Sequence, residues 1–284
     1  MLTVVVGAGY TGARILQRIP DTEVLGLSRS APEPALEHLV HVHDLDRDSS
    51  LLVELPQDYS IIYTVPPAGS TDEDTRLSRL FVQLPHRPKH FVYISTTGVY
   101  GDHDGALIDE NAETRPGSAQ SEHRLATERF LQQQCDEQDI DLVILRVPGI
   151  YGPDRLGIDA IRDGVPVLLE EDSYPGNRIH VTDLVSCCIK ATSNSVPPGI
   201  YNVGDGDTRT STWFAQEVAR QINLPPRPEI SRATAEQEFS PLRMSFLSES
   251  RRINTRKMNT VLGVTSIFEN VEEAIKSSLG GKGS

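Results

Sequence analysis

The segment that decides the fold is Val4-Val5-Val6-Gly7-Ala8-Gly9-Tyr10-Thr11-Gly12, close to the first residue of the sequence. Three valines typical of a buried strand lead into a G-x-G-x-x-G pattern, and a helix is expected to begin within the pattern. In such a loop Gly7 permits a tight turn, Gly9 lets the backbone approach a pyrophosphate, and Gly12 lets the helix lie close to the strand. The free N–H groups of the helix start, at Tyr10 and Thr11, then face the phosphates. The segment therefore predicts a dinucleotide-binding Rossmann fold.

The end of the second predicted strand indicates which dinucleotide is bound. An acidic residue there would hold the ribose hydroxyls and repel a 2′-phosphate. This sequence has Ser28-Arg29-Ser30 at that place instead. A guanidinium between two hydroxyls suits a phosphate monoester, so we predict NADP as the cofactor, with NAD as the open alternative. The competing interpretation makes Arg29 a solvated loop residue.

Short apolar runs alternate with helix-like segments through the first half of the chain. Most runs are continuous rather than alternating, as in parallel strands that helices cover on both faces. This order implies βαβ units and an α/β fold with a doubly wound parallel sheet. The predicted strands are Leu2–Val6, Val24–Ser28, Val40–His43, Ser60–Val65, His90–Ile94 and Leu142–Arg146. The predicted helices are Thr11–Arg18, Ser49–Leu55, Thr71–Leu84 and Ala119–Gln138.

The regular alternation of strand and helix patterns ends near residue 150, which predicts a second, smaller unit. We expect residues 1–150 to form an NAD(P)-binding Rossmann domain. Residues 151–280 are expected to complete its sheet and to form a small C-terminal α/β lobe for the substrate, and residues 281–284 to be a disordered tail. The elements predicted here are a helix capped by Thr182 that runs to Lys190, a strand at Gly199–Val203, and helices at Thr210–Ile222 and Ile267–Leu279.

The composition is that of an acidic globular protein of 284 residues with a formal net charge of −13. This charge repels phosphate backbones and anionic lipid, so neither nucleic acid nor a membrane is an expected partner. No apolar run approaches the roughly 20 residues that span a bilayer, and no signal peptide is recognisable, which predicts a cytoplasmic protein. The three cysteines form no Cys-x-x-Cys pair and are expected to be reduced thiols. We expect a monomer or homodimer that binds a small-molecule substrate and no metal.

Several further segments are motifs that occur together in one protein family. They are Asp44-Leu45, Thr64-Val65-Pro66-Pro67, Phe91–Gly101, Leu145-Arg146, Ile150–Pro153, Ile179–Asp183 and Ile200–Gly204. Together they resemble the extended short-chain dehydrogenase/reductases, the NAD(P)-dependent epimerase/dehydratase family, over nearly the whole chain. The resemblance implies that Asp44 and Leu45 contact the adenine. It implies that Thr64, Val65 and Pro66 line the cofactor. Thr96 falls at the position of the family's catalytic Ser or Thr.

One departure from the family's pattern bears directly on catalysis. The family's active site has a Tyr and, four residues later on the same helix face, a Lys that lowers the pKa of that Tyr. Residues 101–150 contain neither residue type. When Glu128 is aligned with the Glu that follows the family's Lys, Gln120 takes the Tyr position and Arg124 the Lys position. Glutamine orients a substrate but transfers no proton, and Arg124 still donates hydrogen bonds to a ribose but cannot act as a base.

Other candidate proton donors each have a structural alternative. His123 follows Gln120 by three residues, and histidine titrates near neutrality, although a packing role is the simpler interpretation. Tyr100 and Tyr151 are expected to pack, and His180 to orient a loop. A run of acidic residues is irregularly spaced within a loop, which indicates a solvated face rather than a metal site. Its members are Asp102, Asp104, Asp109, Glu110 and Glu113.

A basic cluster, Ser250–Lys257, stands out in the acidic chain. Two interpretations stay open at this point. The cluster could bind an anionic substrate or the cofactor phosphate, or it could serve only to balance the acidic surface.

These features predict an NADP-dependent oxidoreductase or epimerase that acts on a small carbonyl or sugar-like substrate. Thr96, Gln120 and Arg124 are its candidate catalytic residues, and the nicotinamide would carry the hydride. The alternative comes from another class of protein. Because the Tyr/Lys pair is missing, the chain could be a catalytically silent NADP(H)-binding protein that reports redox state to a partner.

Overall fold

A seven-stranded parallel sheet organises the computed structural model, which describes residues 1–51, 53–68 and 74–280. The strands of the described residues are β1 (Leu2–Val6), β2 (Val24–Ser28), β3 (Val40–Val42), β4 (Tyr59–Tyr63), β5 (His90–Thr96), β6 (Leu107–Ile108), β7 (Asp141–Val147), β8 (Gly149–Tyr151), β9 (Val167–Leu168), β10 (Arg178–His180), β11 (Gly199–Asn202), β12 (Glu229–Ile230) and β13 (Arg252–Ile253). The helices are α1 (Tyr10–Arg18), α2 (Thr75–Gln83), α3 (Ala119–Gln138), α4 (Ile158–Arg162), α5 (Val181–Lys190), α6 (Ser211–Gln221), α7 (Arg232–Glu238), α8 (Pro241–Leu247) and α9 (Val271–Gly280).

The order of the strands fixes where a ligand can bind. The sheet runs β11-β7-β5-β4-β1-β2-β3, and every neighbouring pair is parallel. The chain therefore moves outward from β1 in one direction, returns to β4, and moves outward in the other. In such sheets ligands bind outside the carboxyl ends of the strands, at the point where the order of the strands reverses, which here lies between β1 and β4. The predicted doubly wound α/β fold is confirmed.

Apolar side chains on both faces of the sheet explain why its strands read as continuous hydrophobic runs. On β1, Val5 belongs to the core shared with Leu16 of α1 and Leu184 of α5. Val4 and Val6 belong to the opposite core, together with Leu77 and Leu80 of α2 and Leu131 of α3. Helices thus cover both faces, as the continuous runs predict.

The second half of the chain contributes to the main sheet and also forms a separate cluster of helices. Its strand β11 pairs with β7 at the edge of the main sheet. Helices α4, α6 and α9 enclose a separate apolar cluster that includes Val218, Ala274 and Ile275. Short parallel pairs, β8 with β10, β9 with β12 and β6 with β13, connect the remaining loops. The boundary at residue 150 between the two units stays a prediction.

Two properties of the described residues bear on the sequence-based expectations. None of their helices is both long and apolar enough to cross a bilayer. Cys135, Cys187 and Cys188 are buried free thiols, and burial raises the pKa of Cys135 and of Cys188 to about 12.

The helix predicted at Ser49–Leu55 is wrong: the described residues of that segment form bends and irregular backbone. A turn at Asp44, whose carbonyl accepts from Asp48 N at 2.8 Å, precedes it. Gln83 of α2 donates to Asp48 O at 2.8 Å and fixes the segment against the helix. A run of seven residues before Pro56 is too short to hold a helix against these tertiary contacts.

Three helix starts differ from their predicted positions. The cap of α5 is His180, whose Nδ1 accepts from Thr182 N at 3.2 Å, so Thr182 lies inside the helix rather than at its cap. Helix α2 starts at Thr75 because Asp74 caps it. Helix α9 starts at Val271 because Asp183 accepts hydrogen bonds from Ser266 and Ile267 and holds the preceding residues outside the helix. Positions 71–73 of the predicted second helix and the tail at 281–284 lie outside the described residues.

The buried cap His180 makes the stability of the fold depend on pH. Burial lowers its pKa from about 6.5 to about 4. A histidine with a lowered pKa stabilises the fold above pH 6.5, and this contribution is lost as the pH falls toward 4. We expect the free energy of unfolding to fall by about 2–3 kcal/mol between pH 7 and pH 4.5 through this group. In His180→Asn, which keeps a capping oxygen, urea denaturation should show a smaller fall. Equal falls in the two proteins would contradict the assignment.

Candidate functional site: a glycine loop and an adjoining cleft

Two of the three glycines in the loop between β1 and α1 are required for packing. Gly7 has a φ of +99°, and its N–H donates to Leu27 O at 2.8 Å. A Cβ added at Gly12 would lie 1.8 Å from Gly7 O, which no side chain can tolerate. Gly7 thus permits the turn and Gly12 the close approach of helix to strand, as the sequence predicts for these residues.

Gly9 differs, because the space beside it is open. Among the described residues no atom lies within 4 Å of the position that a Cβ would take there. Gly9 is the N-cap residue of α1, makes no side-chain capping bond, and no acidic residue stands in the first turn. The helix therefore presents unpaired N–H groups and the positive end of its dipole to an open space, an arrangement that suits a phosphate group.

Tyr10 and Thr11 contribute to this loop through the backbone. The Tyr10 hydroxyl donates to Pro153 O at 2.8 Å, and its ring lies between the guanidinium groups of Arg14 and Arg155, at 3.9 and 4.0 Å. The Thr11 side chain is buried. Both side chains are thus engaged with the protein, and their N–H groups are what they can offer a dinucleotide.

The loop after β4 supports the glycine loop from the side. The Thr64 hydroxyl lies within hydrogen-bond distance of Val6 O (3.1 Å) and Gly7 O (2.9 Å). The Val65 side chain lies 2.9 Å from the position of a Cβ on Gly7, and Pro66 is exposed. These three predicted cofactor residues therefore lie beside the glycines, where β1 and β4 meet.

Arg29 is exposed at the end of β2, with Ser28 half-buried and Ser30 exposed beside it. The nearby Asp46 carboxylate accepts hydrogen bonds from Arg76 at 2.7 and 2.9 Å. Its pKa is lowered mainly by Arg76, with a smaller contribution from Arg29. Since Arg76 already neutralises Asp46, the charge of Arg29 is available to another anion.

The two residues predicted to contact the adenine have different surroundings. Leu45 is 7% exposed and packs in the core below the sheet, and its carbonyl accepts from Arg79 at 3.1 Å. The Asp44 carboxylate accepts from Asp46 N at 2.9 Å and closes a tight turn. The Leu45 side chain therefore packs in the core, and the Asp44 carboxylate is partly exposed; the adenine contacts of both residues stay predictions.

A cleft of about 510 Å³ lies at the carboxyl ends of β5 and β7 and extends to the C-terminal lobe. It brings together all three predicted catalytic residues, Thr96, Gln120 and Arg124. On the opposite side it is lined by residues that the sequence did not single out, among them Tyr174, Asn177, Ser211 and Glu249.

Thr96 and Arg124 are held by hydrogen bonds that leave donors for a ligand. Thr96 Oγ1 accepts from Gly98 N at 3.1 Å, so its own O–H can be donated into the cleft. Arg124 Nη1 donates to Ile94 O at 2.8 Å and to the Tyr93 hydroxyl at 3.2 Å. Its remaining N–H groups extend the donor set, while the Gln120 amide is exposed at the cleft. The cleft thus offers hydrogen-bond donors from Thr96, Gln120 and Arg124.

None of the alternative proton donors named from the sequence is among the described residues that line the cleft. Tyr100 donates to Asn202 at 2.7 Å, and burial raises the pKa of both Tyr100 and Tyr151. His123 does not line the cleft, and His180 is a buried helix cap. Tyr174, by contrast, lines the cleft and is 40% exposed, with the Arg232 guanidinium 4.4 Å from the centre of its ring.

A buried ion pair holds α3 in place under the cleft. Arg146 Nη2 on β7 lies 2.7 Å from Glu128 Oε2 on α3, and the two residues are 4% and 1% exposed. Ser95 of β5 donates to the other carboxylate oxygen at 2.5 Å. The pair therefore ties the helix that carries Gln120 and Arg124 to two strands of the sheet.

The members of the basic cluster Ser250–Lys257 lie in different surroundings. Arg251 lines the cleft. Arg252 donates to Gly105 O at 2.9 Å, and Lys257 donates to Ile200 O at 2.6 Å and lies over the Tyr201 ring. Arg252 thus connects β13 to the loop before β6, and Lys257 is held against β11.

The sheet is doubly wound, and a glycine loop leads into a helix whose N-terminus has no side-chain cap. A polar cleft lies at the same carboxyl edge of the sheet. These features together define a dinucleotide-binding type of α/β protein. Residues 3–204 match the sequence pattern of the NAD dependent epimerase/dehydratase family, and the chain belongs to this family. The description of the family names NAD as its cofactor.

Among curated proteins, the chain is similar to the dTDP-D-glucose 4,6-dehydratase of Homo sapiens, with 24% identity over 144 residues. That alignment covers 48% of this chain and 41% of the relative, so the chain matches less than half of that protein's length. The ADP-L-glycero-D-manno-heptose-6-epimerase of Alkalilimnicola ehrlichii is 26% identical over 77% of this chain and 80% of its own length.

Solved structures share the fold over almost the whole chain. A conserved protein of unknown function from Silicibacter pomeroyi superposes with a TM-score of 0.84 at 24% identity and covers 99% of this chain and 98% of its own. MoeE5, whose structure contains UDP-glucose and NAD, has a TM-score of 0.75 at 19% identity, with 98% and 97% coverage. At these identities the likeness concerns the fold.

The different surroundings of the glycines generate a paired prediction. Gly9→Val should leave thermal stability nearly unchanged, because the backbone φ of −76° suits any residue and the adjoining space is open. Its side chain would fill the phosphate position, so we expect NADPH affinity in calorimetry to fall at least tenfold. Gly12→Ala is the matched control: its methyl would meet Gly7 O, so we expect a lowered melting temperature. NADPH affinity unchanged in Gly9→Val would rule out this phosphate site.

Proposed function

We propose that this chain is an NADP-dependent oxidoreductase or epimerase acting on a small carbonyl or sugar-like substrate. The observation that carries the proposal is that Thr96, Gln120 and Arg124 line one cleft at the same edge of the sheet as the open loop at Gly9. The pyrophosphate would then lie where the order of the strands reverses, between β1 and β4, and the substrate beside it at the carboxyl ends of β5 and β7.

The residues divide the work by position. The N–H groups after Gly9 hold the pyrophosphate, Ser28-Arg29-Ser30 the 2′-phosphate, and Arg124 the nicotinamide ribose. When bound, the nicotinamide supplies or accepts the hydride. Thr96 and Gln120 donate hydrogen bonds that orient the reacting oxygen. Since neither side chain ionises near neutral pH, the proton comes from water, from the substrate itself, or from the Tyr174 side chain, which lines the cleft and is 40% exposed.

A second candidate is a catalytically silent protein that binds NADP(H) and reports redox state to a partner. The observation that favours it is the lack of any Tyr or Lys in residues 101–150. The two functions share the cofactor site and differ in turnover.

One experiment separates the two candidates. NADPH absorbance is followed across a panel of simple carbonyl compounds and sugars, and NADPH binding is measured in parallel by calorimetry. Substrate-dependent loss of absorbance supports an oxidoreductase. An epimerase returns the hydride to its product and leaves the absorbance unchanged, so each sugar is also incubated with the protein and NADP⁺, and its epimer is sought by chromatography. Tight binding with neither loss of absorbance nor formation of an epimer supports the sensor. Absence of NADPH binding would contradict both.

The preference for NADP is tested at Arg29. We expect the parent protein to bind NADPH more tightly than NADH, and Arg29→Ala to remove most of the difference. A charge-assisted contact contributes about 1.5–3 kcal/mol, which corresponds to about tenfold or more in affinity. Arg18→Ala, at the exposed far end of α1, is the matched control and should keep the preference. Equal affinity of the parent for both cofactors would refute the assignment.

The roles of Gln120 and Arg124 are tested by restoring the family's pair. Residues four apart share one helix face, and both positions line the cleft. The double variant Gln120→Tyr, Arg124→Lys should therefore gain NADPH-dependent reductase activity on simple carbonyl compounds. The single variant Arg124→Lys is the control and should not gain it. If the double variant binds NADPH normally but is no more active than the single one, the mechanistic proposal fails.

A further inference from the structure

The arginine that lines the substrate side of the cleft is already paired with a carboxylate. Arg251 Nη1 lies 2.5 Å from Glu249 Oε2 and donates to Gly101 O at 2.7 Å. Both side chains line the cleft, yet they are only 11% and 16% exposed. In so enclosed a place the attraction between the two charges is screened little by water, so the carboxylate offsets most of the positive charge that a ligand would meet.

The Glu249 carboxylate is fixed in this position by its surroundings. A Cβ added at Gly117 would lie 2.9 Å from Glu249 Oε1, so the main chain at Gly117 passes directly beside the carboxylate. The Asp102 carboxylate accepts at 2.8 Å from Ser250 N, the main-chain group between Glu249 and Arg251. That hydrogen bond lowers the pKa of Asp102 and keeps it ionised. The Arg251 guanidinium at this end of the cleft is therefore paired with the Glu249 carboxylate, and a further ionised carboxylate binds the main chain between the two residues.

The other cations near the cleft are also engaged. Arg124 lies beside β5, where the proposed function assigns it to the cofactor ribose. Arg232 lies behind the Tyr174 ring and donates to Asp172 O and Leu247 O at 2.6 and 3.1 Å, while its own N–H donates to the Asp172 carboxylate at 2.8 Å. At the Arg251 end of the cleft a ligand with two negative charges would meet one guanidinium that Glu249 already neutralises, and the Arg232 guanidinium behind the Tyr174 ring already donates to two carbonyl groups.

We propose that Glu249 is a specificity-determining residue that reserves the substrate cleft for uncharged ligands and disfavours nucleoside diphosphates. A diphosphate needs cations that are free to pair with it, and a fixed carboxylate in their place repels it. Neutral carbonyl or sugar-like ligands meet only hydrogen-bond donors from Thr96, Gln120 and their neighbours. This inference rests on the proposed function and names the class of substrate that the cleft selects.

The test compares UDP with uridine, which share a base and a ribose and differ in charge. Both are titrated by calorimetry into the NADPH-saturated protein, so that the cofactor site is filled. The parent should bind UDP no more tightly than uridine. Glu249→Gln keeps the shape of the side chain and its contact with Arg251 but removes the charge, and it should bind UDP at least tenfold more tightly with uridine affinity unchanged. Glu137→Gln, exposed at the far end of α3, makes the same change in net charge and should behave as the parent.

Two results would overturn the proposal. One is a parent protein that binds UDP much more tightly than uridine, which needs no variant to observe. The other is a folded Glu249→Gln protein with no gain in UDP affinity over Glu137→Gln. NADPH binding is measured first in each protein. If it is absent, the proposed function fails, and the same titrations on the unliganded protein still decide the role of Glu249.

Discussion

The buried pair between Glu128 and Arg146 is the interaction on which the geometry of the cleft depends. It joins α3 to β7 at 2.7 Å, and Ser95 extends it to β5. Burial of both charges is unfavourable by itself, so removing one partner would leave the other uncompensated, at a cost of about 3–5 kcal/mol. The pair is therefore a constraint on position: it sets the height of α3 above the sheet and with it the places of Gln120 and Arg124.

The same pair connects the sheet to the second half of the chain. The Arg146 guanidinium lies 4.7 Å from the centre of the Tyr100 ring, whose hydroxyl donates to Asn202 at the end of β11. Asn202 N in turn donates to Glu110 at 2.8 Å, which fixes the acidic loop that the sequence predicted to be a solvated face. One acid of that run thus has a structural partner in the sheet, because its loop crosses the carboxyl edge where unpaired backbone groups need acceptors.

How far the sequence predicts this molecule depends on how local the determining interactions are. The glycine loop and α3 are encoded in consecutive residues, and α3 occupies the predicted range Ala119–Gln138. The absent helix at Ser49–Leu55 and the cap at His180 are decided by distant partners, Gln83 and Ser278, which no local pattern reveals. Glu249 and Tyr174 enter the cleft from segments between short elements of the second half, where periodicity carries no information about direction. The basic cluster drew attention to Arg251, but nothing in it indicated which of its members faces the cleft.

An arginine at position 124, which the sequence comparison with the family aligns with a lysine, fits the electrostatics of the rest of the cleft. The family's lysine acts by lowering the pKa of a neighbouring tyrosine. Here the neighbouring residue is Gln120, whose amide does not ionise. The planar guanidinium instead bridges to Ile94 O and Tyr93, so it is fixed by the end of β5 rather than by an acid–base partner. Tyr93 itself is buried, which raises its pKa and keeps it a neutral hydrogen-bond partner. Arg124 thus has a fixed charge and a fixed position. Such a group can orient a bound ribose, and proton transfer is left to groups that reach solvent.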